Sequence, residues 1–339
     1  MVSLSVLDLA TVATGSSPAQ ALAETSELAV EAERFGYERF WVAEHHGMPA
    51  VASSSPPVLI AHLAERTTTL RVGSGGVMLP NHSPLVVAEQ FATLEALHPG
   101  RIDLGLGRAP GTDPTTARAL RRHGDLGADE FPDDVVELIN YLAPSDGPLG
   151  HPAPVPGRGY LPQVWLLGSS LFSAELAGIL GLPYSFAYHF SPAHLDGALA
   201  LYRSSFRASV FLREPHAMVA VSVLCAPSIE EARFLAESSA LSILQLRTGR
   251  LGRFPSPEEA AAYPFSRAER SLVDEAMATH VIGDPATVRD GLAELHRRTA
   301  ADELIISTRA HSYETRLRSL ELVAASAGSV NPAAPAKAS

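Results

Sequence analysis

Short apolar segments alternate with longer amphipathic ones along the chain, and this alternation limits the fold more than any other feature. Eight segments read as β-strands: LSVLDL (4–9), RFWVAE (39–44), LRVGSGG (70–76), RIDLGLG (101–107), QVWLLG (163–168), YSFAYH (184–189), AMVAVSVLC (217–225) and ELIIST (303–308). Most are apolar on both faces, as expected for parallel strands between a layer of helices and a packed interior. The pattern predicts an α/β protein with the fold of a (β/α)8 TIM barrel.

A doubly wound parallel sheet is the alternative architecture for such an alternation. The first junction between a strand and a helix, LDLATVATGSSPAQ, lacks the GxGxxG phosphate loop that dinucleotide-binding sheets carry. The barrel is therefore preferred, and the chain shows no fingerprint for a nicotinamide cofactor.

Two segments are longer than a simple barrel connection. Residues 109–162 are rich in proline and glycine and contain one more helical pattern, PDDVVELINYLA (132–143). Residues 248–270 are polar, with few apolar side chains to hold them in place, and long barrel loops of this kind are often functional or mobile. The sequence thus predicts one domain over residues 1–327 with a mobile lid at 248–270, followed by a disordered tail at 328–339.

Charge and cysteine content exclude several classes of protein. The formal net charge is -11, whereas nucleic-acid binding requires a basic surface. Cys225 is the only cysteine, so neither an intrachain disulfide nor a cysteine-rich zinc site can form. The first residues, MVSLSVLDLA, lack the pattern of a signal peptide, and no run reaches the roughly 18 apolar residues of a membrane span. These features predict a cytoplasmic protein.

Polar residues and glycines gather where the predicted strands end, which is the side that carries the active site in barrel enzymes. They are Asp8, Glu44, His45, His46, Gly75, Gly76, Arg108, Ser169, Ser170 and His189. Arg108 can bind a phosphate through its forked guanidinium. Ser169 and Ser170 precede a helical pattern whose first amides favour an anion, although Ser170 as a plain N-cap is an equal alternative. Together these residues predict a phosphate site.

The third predicted strand ends in VGSGGVMLP, which contains two adjacent glycines. Because Gly75 and Gly76 lack side chains, the backbone here can approach a flat ring closely. A phosphate-bearing cofactor held by Arg108 is therefore expected to place its rings toward the second and third strands.

The two adjacent histidines raise the question of a metal site. Neighbouring residues on a strand point in opposite directions, so His45 and His46 cannot easily share one metal ion. The sequence contains neither an HxH nor an HExxH motif. We therefore expect no metal, with one imidazole facing the barrel mouth and the other packed and hydrogen-bonded.

Three long stretches resemble the bacterial luciferase-like flavin-dependent monooxygenases. They are RFWVAEHHGMPAVASSSPPVLI, LRVGSGGVMLPNHSPLVVAEQFATLEALHPGRIDLGLGRAPGTD and VWLLGSSLFSAELAGILGLPYSFAYHF, and the similarity runs from LSVLDL to ADELIIST. The resemblance implies a (β/α)8 barrel, a homodimer, and reduced FMN supplied by a separate flavin reductase. It also implies that O2 reacts as a flavin C4a-hydroperoxide, from which one oxygen atom passes to a small hydrophobic substrate such as an aldehyde, a ketone or a polycyclic metabolite.

The same resemblance assigns roles to the residues at the second and third strand ends. His45 matches the catalytic histidine of the family's EHH motif, and Glu44 would orient its surroundings. Gly75 and Gly76 match a non-prolyl cis peptide beside the isoalloxazine ring. These residues are thus expected to lie against the reacting part of the flavin.

The phosphate site and the lid have counterparts in the family as well. Arg108 matches the phosphate-binding arginine, Ser169 with Ser170 matches the phosphate loop after the fifth strand, and residues 248–270 take the place of the mobile lid. Gly107 stands where luciferase itself has a reactive cysteine, so light emission is not implied. The remaining candidates for contact with substrate are Asp8, His46, Met78 and His189.

Two other functions fit the same residues. An oxidoreductase dependent on the deazaflavin F420 would share the barrel and the phosphate site but would need no oxygen. A non-catalytic flavin-binding relative would keep the barrel and lose catalysis, and the retained EHH motif argues against that loss. In each case the expected ligands are small molecules rather than nucleic acid or membrane.

Overall fold

The structure is a computed structural model that describes residues 2–109, 114–120, 130–143 and 153–328. Within these ranges the strands are β1 (Ser3–Asp8), β2 (Arg39–Val42), β3 (Arg71–Met78), β4 (Ile102–Gly107), β5 (Gln163–Gly168), β6 (Tyr184–Phe186), β7 (Ala217–Cys225), β8 (Val281–Gly283) and β9 (Glu303–Ser307). The helices are α1 (Pro18–Phe35), α2 (Pro56–Arg66), α3 (Pro84–Leu97), α4 (Pro114–Leu120), α5 (Phe131–Leu142), α6 (Leu171–Leu180), α7 (Leu195–Ser205), α8 (Ile229–Arg247), α9 (Pro257–Ala262), α10 (Arg267–Met277), α11 (Pro285–Thr299) and α12 (Tyr313–Ser326). A 3-10 turn at Leu79–Asn81 follows β3.

Eight strands close into a parallel barrel, which confirms the predicted fold. Around the ring they follow the order β1, β2, β3, β4, β5, β6, β7 and β9, and β9 pairs with both β7 and β1. The short strand β8 is added to the end of β7, where Val223 pairs with Val281, and it lies outside the closed ring. The sequence pattern predicts the eight ring strands and misses β8, since three residues give no readable periodicity.

Side chains on the strands alternate between the barrel interior and the layer of helices. On β1, Val6 packs in the outer cluster and Leu7 in the inner one. The inner cluster consists of Leu7, Trp41, Ala43, Trp165, Met218, Ala220 and Ile305. The rings of Trp41 and Trp165 meet edge to face, with centroids 5.2 Å apart. The interior is therefore a packed core, and ligands can reach the barrel only at its ends.

Buried charges close the end of the barrel at which the strands begin. Arg39 binds Asp103 through Nη1 at 2.9 Å and Glu303 through Nε at 3.0 Å. The indole Nε1–H of Trp41 also donates to Asp103, at 2.9 Å. Both carboxylates are buried, and Asp103 is also paired with Arg71. Removing Arg39 would leave Glu303 without its arginine and Asp103 with one arginine instead of two, which is costly in a protein interior. This network is structural and lies opposite to the active-site end.

Local signals in the sequence set the limits of several helices. The side chain of Ser17 accepts a hydrogen bond from the backbone N–H of Gln20, Pro18 opens α1, and Gly36 ends it with a positive φ of 82°. The extra helix predicted at 132–143 is confirmed as α5. Within the described residues, no helix is both long and apolar enough to span a bilayer. Of the tail predicted to be disordered, residues 329–339 lie outside the described ranges.

The segment 248–270 is anchored more firmly than its sequence predicts. It contains α9 and the beginning of α10, and each of these helices begins with a capping box, at Ser256 and at Ser266. The ring of Phe254 is fully buried, and its backbone carbonyl accepts a hydrogen bond from Thr14. The expectation of few apolar anchors is therefore wrong for most of the segment. The mobility of its exposed beginning, residues 248–253, stays a prediction.

Candidate active site

The carboxylate of Glu44, just beyond β2, binds three groups. Nε2 of His46 and Nε2 of His82 each donate to Oε1 at 2.8 Å, and the backbone N–H of Met78 donates to Oε2 at 3.0 Å. The Glu44 side chain is buried. It therefore ties the end of β2 to the end of β3 and to the turn that follows β3.

These contacts also fix the charge of Glu44. Burial raises its pKa, but the hydrogen bonds from His82, His46 and the amide of Met78 outweigh burial and hold the pKa below its ordinary value. Glu44 is thus an ionised acceptor at neutral pH, which suits a positioning residue. Sequence reasoning singled out Glu44 and His46 but missed His82, which approaches the carboxylate only because of the turn at Leu79–Asn81.

His45 continues the side of β2 that faces the barrel interior. Trp41 and Ala43 belong to the inner cluster, so the alternation directs the next odd-numbered residue to the same side. The backbone N–H of His45 donates to the carbonyl of Ser53 at 3.0 Å, and the side chain is half-buried. A charge on His45 lowers the pKa of His189, so the two imidazoles share the barrel mouth.

The peptide bond between Gly75 and Gly76 is cis, as predicted. The physical reason for the glycines differs from the one proposed from the sequence. A Cβ on Gly75 would lie 2.7 Å from Cδ1 of Leu7, and one on Gly76 would lie 2.7 Å from the carbonyl oxygen of Gly105. A side chain at Gly75 would enter the inner cluster, and one at Gly76 would meet the backbone of β4. Packing within the protein therefore favours these two glycines, independently of any ring that approaches them.

Arg108 and the beginning of α6 lie together at one corner of the mouth. The guanidinium of Arg108 stacks over the ring of Phe172, 4.6 Å from its centroid, and Phe172 belongs to the first turn of α6. Ser170 is the N-cap, yet its side chain makes no capping hydrogen bond. In the described part of the chain, no ion pair involves Arg108, which is exposed. An exposed guanidinium beside the amides at the start of a helix suits a phosphate group. Ser169 and Ser170, which the sequence predicted for this site, lie directly before these amides.

Asp8 does not face the mouth, which corrects its assignment to the substrate pocket. Its carboxylate accepts hydrogen bonds from Thr25 at 2.6 Å and from the backbone N–H of Ala10 at 2.8 Å, and it lies 3.6 Å from Nη1 of Arg316. Thr25 belongs to α1 and Arg316 to α12, so Asp8 points toward the helices like its neighbour Val6. It is a buried and satisfied core group.

Met78 fills the space beside Gly107. A Cβ on Gly107 would lie 3.1 Å from the sulfur of Met78. The glycine at the position of luciferase's cysteine therefore leaves room for the methionine side chain, which is only partly buried. Met78 thus remains a candidate for contact with a ligand in the mouth.

His189 lies among basic groups at the same end of the barrel. Its pKa is lowered to about 4, mainly by burial and then by the charges of His45 and Arg309, against an opposing effect of the carbonyl of Ala220. His280 and Arg309 share this region, although sequence reasoning did not single them out, because an isolated histidine or arginine matches no motif. Among the described residues, no group of three or more His, Cys, Asp or Glu side chains is arranged to hold a metal ion.

Known proteins resemble this chain along its whole barrel. The family described as luciferase-like monooxygenase matches residues 2–302. A luciferase-like monooxygenase of Escherichia coli (strain K12) is 49% identical over 321 residues, which cover 95% of this chain and 96% of that protein. An N-acetyl-S-alkylcysteine monooxygenase of Bacillus subtilis (strain 168) is 34% identical over 314 residues, 91% of this chain and 93% of that protein. The crystal structure of apo-MsnO8 has a TM-score of 0.90 and 38% identity, and covers 96% of this chain and 98% of that one.

Proposed function

Since the chain belongs to the luciferase-like monooxygenase family, we propose that it uses reduced FMN and O2 to insert one oxygen atom into a small hydrophobic substrate. The enzyme is a flavin-dependent monooxygenase, and FMN, when bound in its reduced form, supplies the electrons that activate O2. The chain lacks a GxGxxG loop, so a separate flavin reductase would deliver the reduced cofactor. By its resemblance to the family we also expect a homodimer.

The observation that supports a phosphate-bearing cofactor is the contact between Arg108 and Phe172. The contact places the guanidinium of Arg108 at the first turn of α6. No carboxylate among the described residues pairs with this guanidinium. Arg108 would bind the phosphate through paired N–H groups, and the backbone amides after Ser170 would add to the same anion site. FMN carries such a phosphate, whereas riboflavin does not.

His45 would move protons at the flavin edge through its imidazole. Its position on the inward side, next to the end of β2, supports this role, and imidazole can both give and take a proton near neutral pH. Glu44 would act indirectly, because its carboxylate fixes the backbone at Met78 and the imidazoles of His46 and His82. It would therefore be a positioning residue for the ends of β2 and β3, toward which the flavin ring would lie.

Apolar side chains at the mouth support a hydrophobic substrate. Leu9 and Leu167 are partly buried and pack on the inner cluster, where they continue the apolar interior toward solvent. Phe254 brings the segment 248–270 against the connection between β1 and α1 through its bridge with Ala13. Closure of that segment would keep water from the reacting atoms. The oxygenated group would be a carbonyl, an electron-rich carbon, or a thioether like that named for the Bacillus subtilis relative.

The test first compares the binding of three cofactors and then measures oxygen consumption. The purified protein is titrated with FMN, riboflavin and F420, and oxygen uptake is then followed after addition of chemically reduced FMN. The proposal predicts that FMN binds more tightly than riboflavin and that reduced FMN consumes O2. Tight and selective binding of F420 without oxygen uptake would instead establish the F420-dependent oxidoreductase. FMN binding that alters neither the rate nor the products of oxidation of reduced FMN by O2 would indicate a non-catalytic flavin-binding protein.

A further inference from the structure

Arg309 lies two residues beyond β9, and its guanidinium has an N–H donor that no acceptor of the described residues binds. Its guanidinium lies over the buried ring of Phe254, 4.8 Å from the centroid, and Nη2 donates to Ser242 at 3.3 Å. Nε is buried and has no hydrogen-bond partner among the described residues. A buried guanidinium donor without an acceptor is costly, so its retention indicates that something else supplies the acceptor.

The groups around Arg309 are also basic. Burial lowers the pKa of Arg309 to about 10. The pKa of His280 is lowered to about 4, mainly by burial and then by the charges of His189 and Arg309. The backbone N–H of His189 donates to the carbonyl of Ala220 at 2.8 Å, which places this residue at the end of the barrel interior. The charged groups that lower the pKa values of these two histidines are His45, His189 and Arg309, and all of them are basic. In a chain with 37 acidic residues, a half-buried group of basic side chains indicates an anion-binding pocket.

This basic group is distinct from the phosphate corner. Arg108 follows β4, whereas Arg309 follows β9, and β9 lies four strands from β4 in either direction around the ring. The two arginines therefore occupy opposite sides of the barrel mouth. A flavin whose phosphate lies at Arg108 and whose rings lie toward β3 leaves the side of β7 and β9 for the second reactant.

We propose that Arg309, His189 and His280 form a subsite for a carboxylate of the substrate, which rests on the proposed function for the position of the flavin. The guanidinium provides the unused Nε–H, and the neutral imidazole of His280 can donate one N–H. Nδ1 of His189 lies 3.4 Å from the carbonyl oxygen of Ala220, so His189 would donate to the carboxylate from Nε2, in the protonated form that a neighbouring anion favours. The substrate would then be an amphipathic acid: its carboxylate lies under the segment 248–270, and its apolar part extends over Leu9 and Leu167 toward the flavin. Phe254 would hold the guanidinium in place for this contact.

The experiment measures binding of matched pairs that differ in one group. The pairs are octanoate with octanol, hydrocinnamate with hydrocinnamyl alcohol, and N-acetylmethionine with its amide, titrated by calorimetry into the FMN-loaded protein. The wild type should prefer the carboxylate of a pair by about tenfold or more. Arg309→Gln should abolish this preference, and Arg309→Lys, which keeps the charge without the fork, should retain part of it.

Arg250→Gln is the matched control, since Arg250 lies in the same segment as Phe254 but is exposed and paired with Glu269 at 3.4 Å. This variant should bind all the pairs like the wild type. Failure of every carboxylate to bind, equal affinity for both members of the pairs, or a preference that survives in Arg309→Gln would overturn the subsite. If Arg309→Gln weakens FMN more than riboflavin, the basic group serves the cofactor instead, and the proposal is wrong. A carboxylate preference without oxygen uptake would reject the proposed function and leave the subsite in place.

Discussion

Nε2 of His82 lies 2.8 Å from Oε1 of Glu44, although 38 residues separate them in the chain. The contact exists because β2 and β3 are neighbours in the barrel and the turn at Leu79–Asn81 directs the chain back toward the end of β2. A single buried carboxylate thereby holds two strand ends that face the proposed flavin site. Loss of that carboxylate should affect the shape of the mouth before it affects any chemical step.

Glu44→Gln should destabilise the protein at neutral pH by about 1–3 kcal/mol, since an amide cannot accept all three hydrogen bonds and places its own donors against the histidines. The pKa of Glu44 is lowered in the folded protein, so the carboxylate contributes stability above the ordinary value of 4.5 and loses it as pH falls below that value. The difference in unfolding free energy between wild type and variant should therefore shrink in acid. Glu65→Gln, at an exposed position of α2, is the control. An equal difference at all pH values would mean that Glu44 acts by packing alone.

Arg108→Gln should weaken FMN by roughly 10- to 150-fold and leave riboflavin almost unchanged, because only FMN carries the phosphate. Fluorescence titration of both flavins measures this ratio. Arg118→Gln changes an exposed arginine on α4 and should alter neither affinity. Equal losses for FMN and riboflavin would place the phosphate elsewhere on the barrel.

The sequence predicted the barrel well and the direction of single side chains less well. Apolar residues on both faces of LSVLDL identify β1, yet they do not tell which face is interior, and so Asp8 was assigned to the mouth although it faces α1 and α12. Residues that match a motif, such as Arg108, could be found by pattern. His82 and Arg309 could not, because their partners are brought to them only when the strands close into a ring.

Trypsin should cleave the native protein at Arg250 and Arg253, which lie in the exposed beginning of the segment 248–270. Cleavage should slow when FMN and substrate are bound, since closure over the mouth would protect the same bonds. Phe254→Ala should accelerate cleavage because it removes the buried anchor, whereas Phe234→Ala, on an exposed part of α8, should not. Mass spectrometry of the first fragments identifies the sites. A first cut outside residues 248–254 would show that another part of the chain opens more readily.

His45→Ala should leave FMN affinity nearly intact and lower product formation by roughly 10²–10⁴-fold if His45 transfers protons. Reduced flavin would still react with O2, so hydrogen peroxide should replace the missing product. His46→Ala should behave differently, because it removes a hydrogen bond from the buried carboxylate of Glu44 and should lower the melting temperature. Product and peroxide assays, run with thermal unfolding of both variants, separate the two roles. Loss of turnover in His46→Ala alone would reverse the assignment.

His280→Gln should reduce the decrease in unfolding free energy that the wild type shows in mild acid. In the unfolded chain His280 binds a proton near pH 6.5, whereas in the folded protein its pKa is lowered to about 4 by burial first and then by His189 and Arg309. Between these values the unfolded state holds more protons, so stability falls as pH falls from 6.5 toward 4. The variant lacks this contribution and should lose less stability between about pH 7 and about pH 5 than the wild type does, as measured by urea denaturation. His62→Gln, at an exposed position of α2, should follow the wild type. If all three proteins lose the same stability over this interval, the pKa of His280 is not lowered in the folded state.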